Sequence, residues 1–159
     1  MSFHLAAPPY DFSPAGLGAL FFTYLIGTLS APLTGRAVLR FGRRGFMLGV
    51  IAVWAIGVLL LAATPIPVIV LGLSLFAGCG MLSQATSTGY VTASAPEGRS
   101  SAIGLYVSSF YTGGSVGGYV AGIAWSRAGW PAVVVLSAAV LAAMAVVVGL
   151  VWTSRPPKQ

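Results

Sequence analysis

The sequence predicts an all-α, polytopic membrane protein, and three observations carry that prediction. Of 159 residues, 57% are hydrophobic and 6% charged, against about a quarter charged in an ordinary soluble domain. The hydrophobic residues gather into long runs free of Asp, Glu, Lys and Arg, and proline and glycine punctuate the short connections between them. So few ionisable groups cannot cover a water-exposed surface, and a disordered chain would be poor in Val, Leu and Ile, which leaves the bilayer as solvent.

Five runs reach the ~20 residues that carry a helix across ~30 Å of hydrocarbon at ~1.5 Å per residue. They cover 16–34, 46–63, 67–93, 102–124 and 131–152. Backbone groups in lipid must be bonded internally, and the short alternating pattern of a membrane barrel strand is missing, so all five are expected to be helices. Residues 1–15 then form an outer-side loop, 16–152 a five-helix transmembrane bundle, and 153–159 a cytoplasmic tail. Met1 to Pro14 does not read as a signal peptide, having no basic start and being interrupted by Pro8, Pro9, Asp11 and Pro14. Breakers at 64–67, 96–99 and 126–129 join the later runs as antiparallel hairpins.

Eight basic residues stand against Asp11 and Glu97, for a net charge of +6. With the N-terminus outside, Arg36, Arg40, Arg43, Arg44, Arg99, Arg155 and Lys158 fall on the inner side and Arg127 alone on the outer. The positive-inside rule therefore predicts N-outside and C-inside. Trp125 and Trp130 flank the last outer turn and Trp152 the inner end of the fifth run, as interfacial rings prefer. The basic balance thus records topology, and no nucleic acid is expected as partner. A single His4 and a single Cys79 build neither a metal cluster nor a nucleophile–base pair. No cofactor, metal or catalytic residue is expected, and an enzyme is the least supported class.

Polarity divides the runs. Thr23, Gly27, Ser30 and Thr34 mark one face of the first, and Ser108, Thr112, Ser115 and Tyr119 repeat that spacing on the fourth. The third is polar through its inner half, from Ser83 and Gln84 through Thr86, Ser87 and Thr88 to Tyr90 and Thr92. These faces are expected to look toward other helices or a watery cavity, because polar groups facing lipid are costly. The second run offers Trp54 and the fifth Ser137 as their polar-capable side chains, which suits contact with lipid. Gln84, able to donate and accept hydrogen bonds, is the leading candidate for contact with a solute. Ser87, Tyr24 and Tyr111 are secondary candidates, with helix packing as the alternative role. Gly113, Gly114, Gly117, Gly118 and Gly122 give overlapping small-xxx-small registers that allow close helix approach. They do not read as a phosphate loop, lying mid-membrane without a Lys or an acid.

The segment 35–44 is more particular. Gly35, Arg40, Gly42, Arg43 and Arg44 resemble the cytoplasmic loop signature of the major facilitator superfamily, Gly-x-x-x-Asp-Arg-x-Gly-Arg-Arg, with Leu39 standing where the family has its aspartate. In that family the aspartate contributes to an ion-paired inner gate, so Leu39 implies a loop that anchors without gating. The resemblance implies that the five runs are helices eight to twelve of a twelve-helix transporter, an incomplete C-terminal six-helix half. Residues 7–10 then look like the outer end of helix seven, and 108–118 is similar to proton-driven exporters of the efflux type. The resemblance thus implies an inner-membrane antiporter fragment, moving a small organic solute by alternating access. Its partners would be the bilayer, the missing N-terminal half and the small-molecule substrate. No run carries an acid, so a coupling carboxylate is expected in the missing half. The competing class is a non-transporting scaffold or assembly subunit that docks a partner through the Gly-rich fourth run. A half-sized transporter acting as a homo-oligomer is a third, against which the odd number of runs speaks.

Overall fold

The structure, a computed structural model, describes residues 33–152. Helix α1 spans Leu33–Leu60, α2 Ile66–Ser94 and α3 Arg99–Val151, and no strand occurs among the described residues. All three are long and apolar enough to cross a bilayer. Residues 1–32, with the outer loop, most of the first predicted run and Tyr24, lie outside the described residues, as does the tail from 153.

At ~1.5 Å per residue, the 53 residues of α3 would reach about 80 Å if straight, far more than one bilayer crossing. The chain departs from helical geometry at Ala128 (φ −142°, ψ 17°) and Gly129 (φ 67°, ψ −157°), within the turn expected at 126–129. The conformation at Gly129 is essentially reserved for glycine. Pro131 comes next but one, where a fixed φ and a missing N–H suit the first turn of a new helical limb. Gly113, Gly117 and Ala121 line the same cavity as Leu136, Val140 and Met144. In a straight helix Gly113 and Met144 would stand about 46 Å apart, so the limbs fold back on each other.

A second break falls at Gly42 in α1 (φ 73°, ψ 158°). The basic segment expected as a loop is thus helical on both sides of one glycine. The physical reason is local, because Arg, Ala and Leu at 36–40 are good helix formers and no proline interrupts them.

The core lies where α1 meets α2 and the second limb of α3. Met47, Val50, Ile51 and Val58 share one helical face of α1 and are buried, as is Leu61 just beyond its end. Met47, Ile51 and Val58 form a single cluster with Leu141 and Val148 of α3. The second and fifth predicted runs therefore pack on each other, while Val53, Ile56, Val146 and Leu150 leave apolar faces exposed. From α2, Ile69, Ala77 and Cys79 are buried.

The tightest approach joins α1 to α2. A Cβ on Gly72 would lie 2.9 Å from the Gly57 carbonyl oxygen, and one on Gly57 would lie 3.1 Å from Leu75 Cβ. With no hydrophobic drive between helices in lipid, dispersion at such small-residue crossings holds them together. At Gly113, Gly114, Gly117, Gly118 and Gly122 a Cβ would meet nothing within 4 Å. The limb that carries them holds no buried residue.

Aromatic side chains tie both ends of the bundle. Trp130 Nε1 donates to the Leu61 carbonyl at 2.7 Å, satisfying one of the acceptors that a helix end leaves without an internal partner. Trp125 packs edge-on to Trp130, with ring centres 6.1 Å apart. At the opposite end Tyr90 stacks on Trp152 at 4.5 Å and 5°, and the Arg43 guanidinium sits 6.0 Å from the centre of the Tyr90 ring.

Candidate functional site

The polar half of α2 separates into two sets. Thr86, Thr88, Thr92 and Ser94 donate to carbonyls one turn back, at 2.7, 2.9, 2.8 and 2.8 Å. Their hydroxyls are thereby satisfied by the helix itself, the usual outcome for Ser and Thr in a helix interior. Ser83, Gln84 and Ser87 instead line a cavity of about 420 Å³ with Trp54, Phe76, Tyr106 and Phe110. Among the described residues, no side-chain hydrogen bond engages the Gln84 amide or the Ser87 hydroxyl.

A second cavity, of about 480 Å³, lies against Gly113, Gly117, Val120, Leu136 and Val140. Trp54, Phe76 and Met144 line both cavities and form the wall between them. Trp54 and Phe76 meet edge to face, with centres 5.4 Å apart and planes at 77°. The Trp54 ring rests against the bare backbone of Gly80, where a Cβ would come within 3.6 Å of it. Its indole N–H is buried and has no hydrogen-bond partner among the described residues, which is costly in an apolar setting. Among the described residues, no Asp, Glu, Lys, Arg or His lines either cavity. What the arrangement offers is neutral, with hydrogen-bonding groups at one side and hydrocarbon at the other.

Of the residues expected from sequence, Gln84 and Ser87 come together in this site. Tyr111 is 67% exposed and lines neither cavity, whereas Phe110 beside it does. Gly42 of the loop motif sits at the break in α1. Arg43 faces Tyr90, and Arg40 lies 5.5 Å from the Phe41 ring centre. Ser108, Thr112, Ser115 and Tyr119 are exposed, as are Glu97 and Arg99. Thr34 is buried with its hydroxyl unpartnered. Sequence reading missed Trp54, Phe76, Tyr106 and Phe110. A signal for Phe76 existed, since Phe76, Gly80, Ser83, Gln84 and Ser87 lie along one helical stripe. The aromatic pair Tyr106 and Phe110, four residues apart, carried none that separates a cavity from lipid.

The sequence pattern of the Major Facilitator Superfamily matches residues 2–159. An uncharacterized transporter of Buchnera aphidicola subsp. Baizongia pistaciae is 27% identical over 131 residues, which cover 82% of this chain and 32% of that protein. The uncharacterized MFS-type transporter YybF of Bacillus subtilis is 28% identical over 130 residues, with the same 82% and 32% coverage. This chain thus spans about a third of the length of the curated relatives it matches. No solved structure matches it. A match over nearly the whole chain, carried on helices apolar enough to cross a bilayer, makes this a multi-pass membrane protein that belongs to the Major Facilitator Superfamily.

Proposed function

We propose that this chain is the C-terminal part, helices eight to twelve, of a secondary active transporter. In this reading it supplies one side of an alternating-access pathway for a small organic solute. The observation that carries the reading is the cavity that holds Gln84 and Ser87 with their side chains uncommitted, while the neighbouring hydroxyls of α2 are turned back onto their own helix. Polar groups spared from internal bonding inside a membrane helix bundle are the ones a solute engages.

The exposed limb of α3 supports the same reading. Its Gly114, Gly118 and Gly122 and its Ser108, Thr112 and Ser115 are exposed, a face poorly suited to lipid and well suited to close packing against further helices. We assign that face to the remainder of the transporter, and proton coupling with it, since α1, α2 and α3 contain no Asp or Glu. Efflux across the inner membrane, with the N-terminus outside and the C-terminus inside, completes the proposal. Leu39, in the place of the family aspartate, leaves the basic segment around Gly42 as an anchor on the inner side.

The same exposed face also fits a non-transporting assembly subunit that docks a partner through the glycines. Solute flux separates the two. In vesicles from cells expressing the natural reading frame, Gln84→Ala is expected to lower solute flux by about 2- to 10-fold, the equivalent of one lost hydrogen bond. Flux that is unchanged removes Gln84 from the pathway, and no flux in the parent favours the subunit.

A further inference from the structure

We propose that the two cavities flanking Trp54 form one site for an elongated, uncharged amphiphile. Its hydrogen-bond acceptor is received by the Trp54 indole N–H and Gln84, and its apolar end fills the chamber beside Gly117. The proposal rests on reading the Gln84 cavity as a solute pathway and names the chemistry of that solute.

Three observations carry it. First, the chambers share Trp54, Phe76 and Met144, so a molecule that displaces the wall reaches both. Their volumes of about 480 and 420 Å³ each fall in the range of ordinary ligand sites. The three wall residues pack against the core, but the Met144 thioether belongs to a side chain that repacks readily, and Trp54 has the bare backbone of Gly80 on one side of its ring. Second, the chambers differ in polarity. Ser137 in the first donates to the Val133 carbonyl at 2.8 Å and has no proton left for a ligand, whereas Ser83, Gln84 and Ser87 line the second. Among the described residues neither cavity is lined by a charged side chain, and an ion would lose its hydration against that lining without compensation. Third, the Trp54 N–H is a buried donor with no hydrogen-bond partner among the described residues, on a ring that lines both cavities. An acceptor on the ligand would supply the missing bond.

The 159-residue chain in lipid nanodiscs tests this with a dodecanamide dibrominated at its tail, whose bromines quench indole emission on contact. The Trp54 contribution is the difference between the parent and Trp54→Phe spectra. Saturable quenching of that contribution is expected, and half-saturation should rise at least about tenfold in Gly117→Phe, whose ring fills the apolar chamber. Gly117 is chosen because a Cβ there meets nothing within 4 Å. Val140→Phe fills the same chamber from the other limb and serves if the first variant loses its helical circular dichroism. The equivalent dibrominated carboxylate should bind at least about tenfold more weakly. Quenching that rises in proportion to the probe means bilayer lipid alone visits Trp54 and overturns the proposal. Unchanged half-saturation in both filled variants, or equal quenching by the carboxylate, does the same. Saturable binding in a protein that moves no solute would sink the transport reading and leave this site, whereas flux that depends on Gln84 without Trp54 quenching would sink the site alone.

Discussion

Replacing Gly72 with alanine measures how close α1 and α2 must come. The added methyl would sit 2.9 Å from the Gly57 carbonyl oxygen, 3.0 Å from Leu60 Cβ and 3.2 Å from Leu61 Cδ2. The first two belong to the backbone or are fixed to it, so no rotamer change relieves them and the helices must separate along the crossing. Forcing one carbon into a packed contact costs about 1–3 kcal/mol, while alanine recovers up to about 1 kcal/mol of helix propensity over glycine. The net expectation is a loss of about 1–2 kcal/mol. Gly113→Ala carries the same propensity gain into open space, where a Cβ meets nothing within 4 Å, and should be neutral or up to about 1 kcal/mol more stable. Equilibrium unfolding of the chain in mixed micelles, titrated with dodecyl sulfate and followed by circular dichroism, compares the two. Should Gly72→Ala unfold at the same denaturant fraction as Gly113→Ala, the glycine crossing is not what sets the α1–α2 distance and the packing argument fails.

Two further substitutions probe the breaks and the ends. Gly42→Ala places a side chain at φ 73°, and the strain should lower stability by about 1–3 kcal/mol in the same titration; an unchanged midpoint would mean that the break moves elsewhere without cost. Trp130→Phe removes the 2.7 Å bond to the Leu61 carbonyl, about 0.5–1.5 kcal/mol, and should speed amide hydrogen exchange in the last turn of α1 by about 2- to 10-fold while leaving α2 unaffected.

The limits of sequence reading show most plainly at the glycines. The crowded run at Gly113–Gly122 invites the packing expectation, yet the close contact among the described residues is Gly57 with Gly72. Those two lie at nearly equal distances from the turn at Pro65, a signal present in the sequence. It is easily passed over because one isolated glycine in an apolar run looks like filler. Gln84 and Ser87 are legible as cavity residues because polarity inside a membrane is expensive and therefore conspicuous. Trp54 is legible as the polar-capable residue of its run, while its place between two chambers is not. Phe76 and Phe110 carry no comparable mark, since phenylalanine is as fitting against lipid as against a solute.

From composition and residue order came the solvent, the helical class and the punctuation at 64–67 and 96–99, each tied to the need to bond every backbone group within hydrocarbon. The local chemistry of glycine and proline likewise located the break near Gly129. Which apolar face turns inward was decided only in three dimensions. In water a buried stripe stands out against a polar one, but here Met47 and Leu59 are equally apolar, and only packing leaves the first fully buried and the second 65% exposed. The pairing of Trp54 with Phe76, and the two cavities it separates, belong to that same tertiary decision.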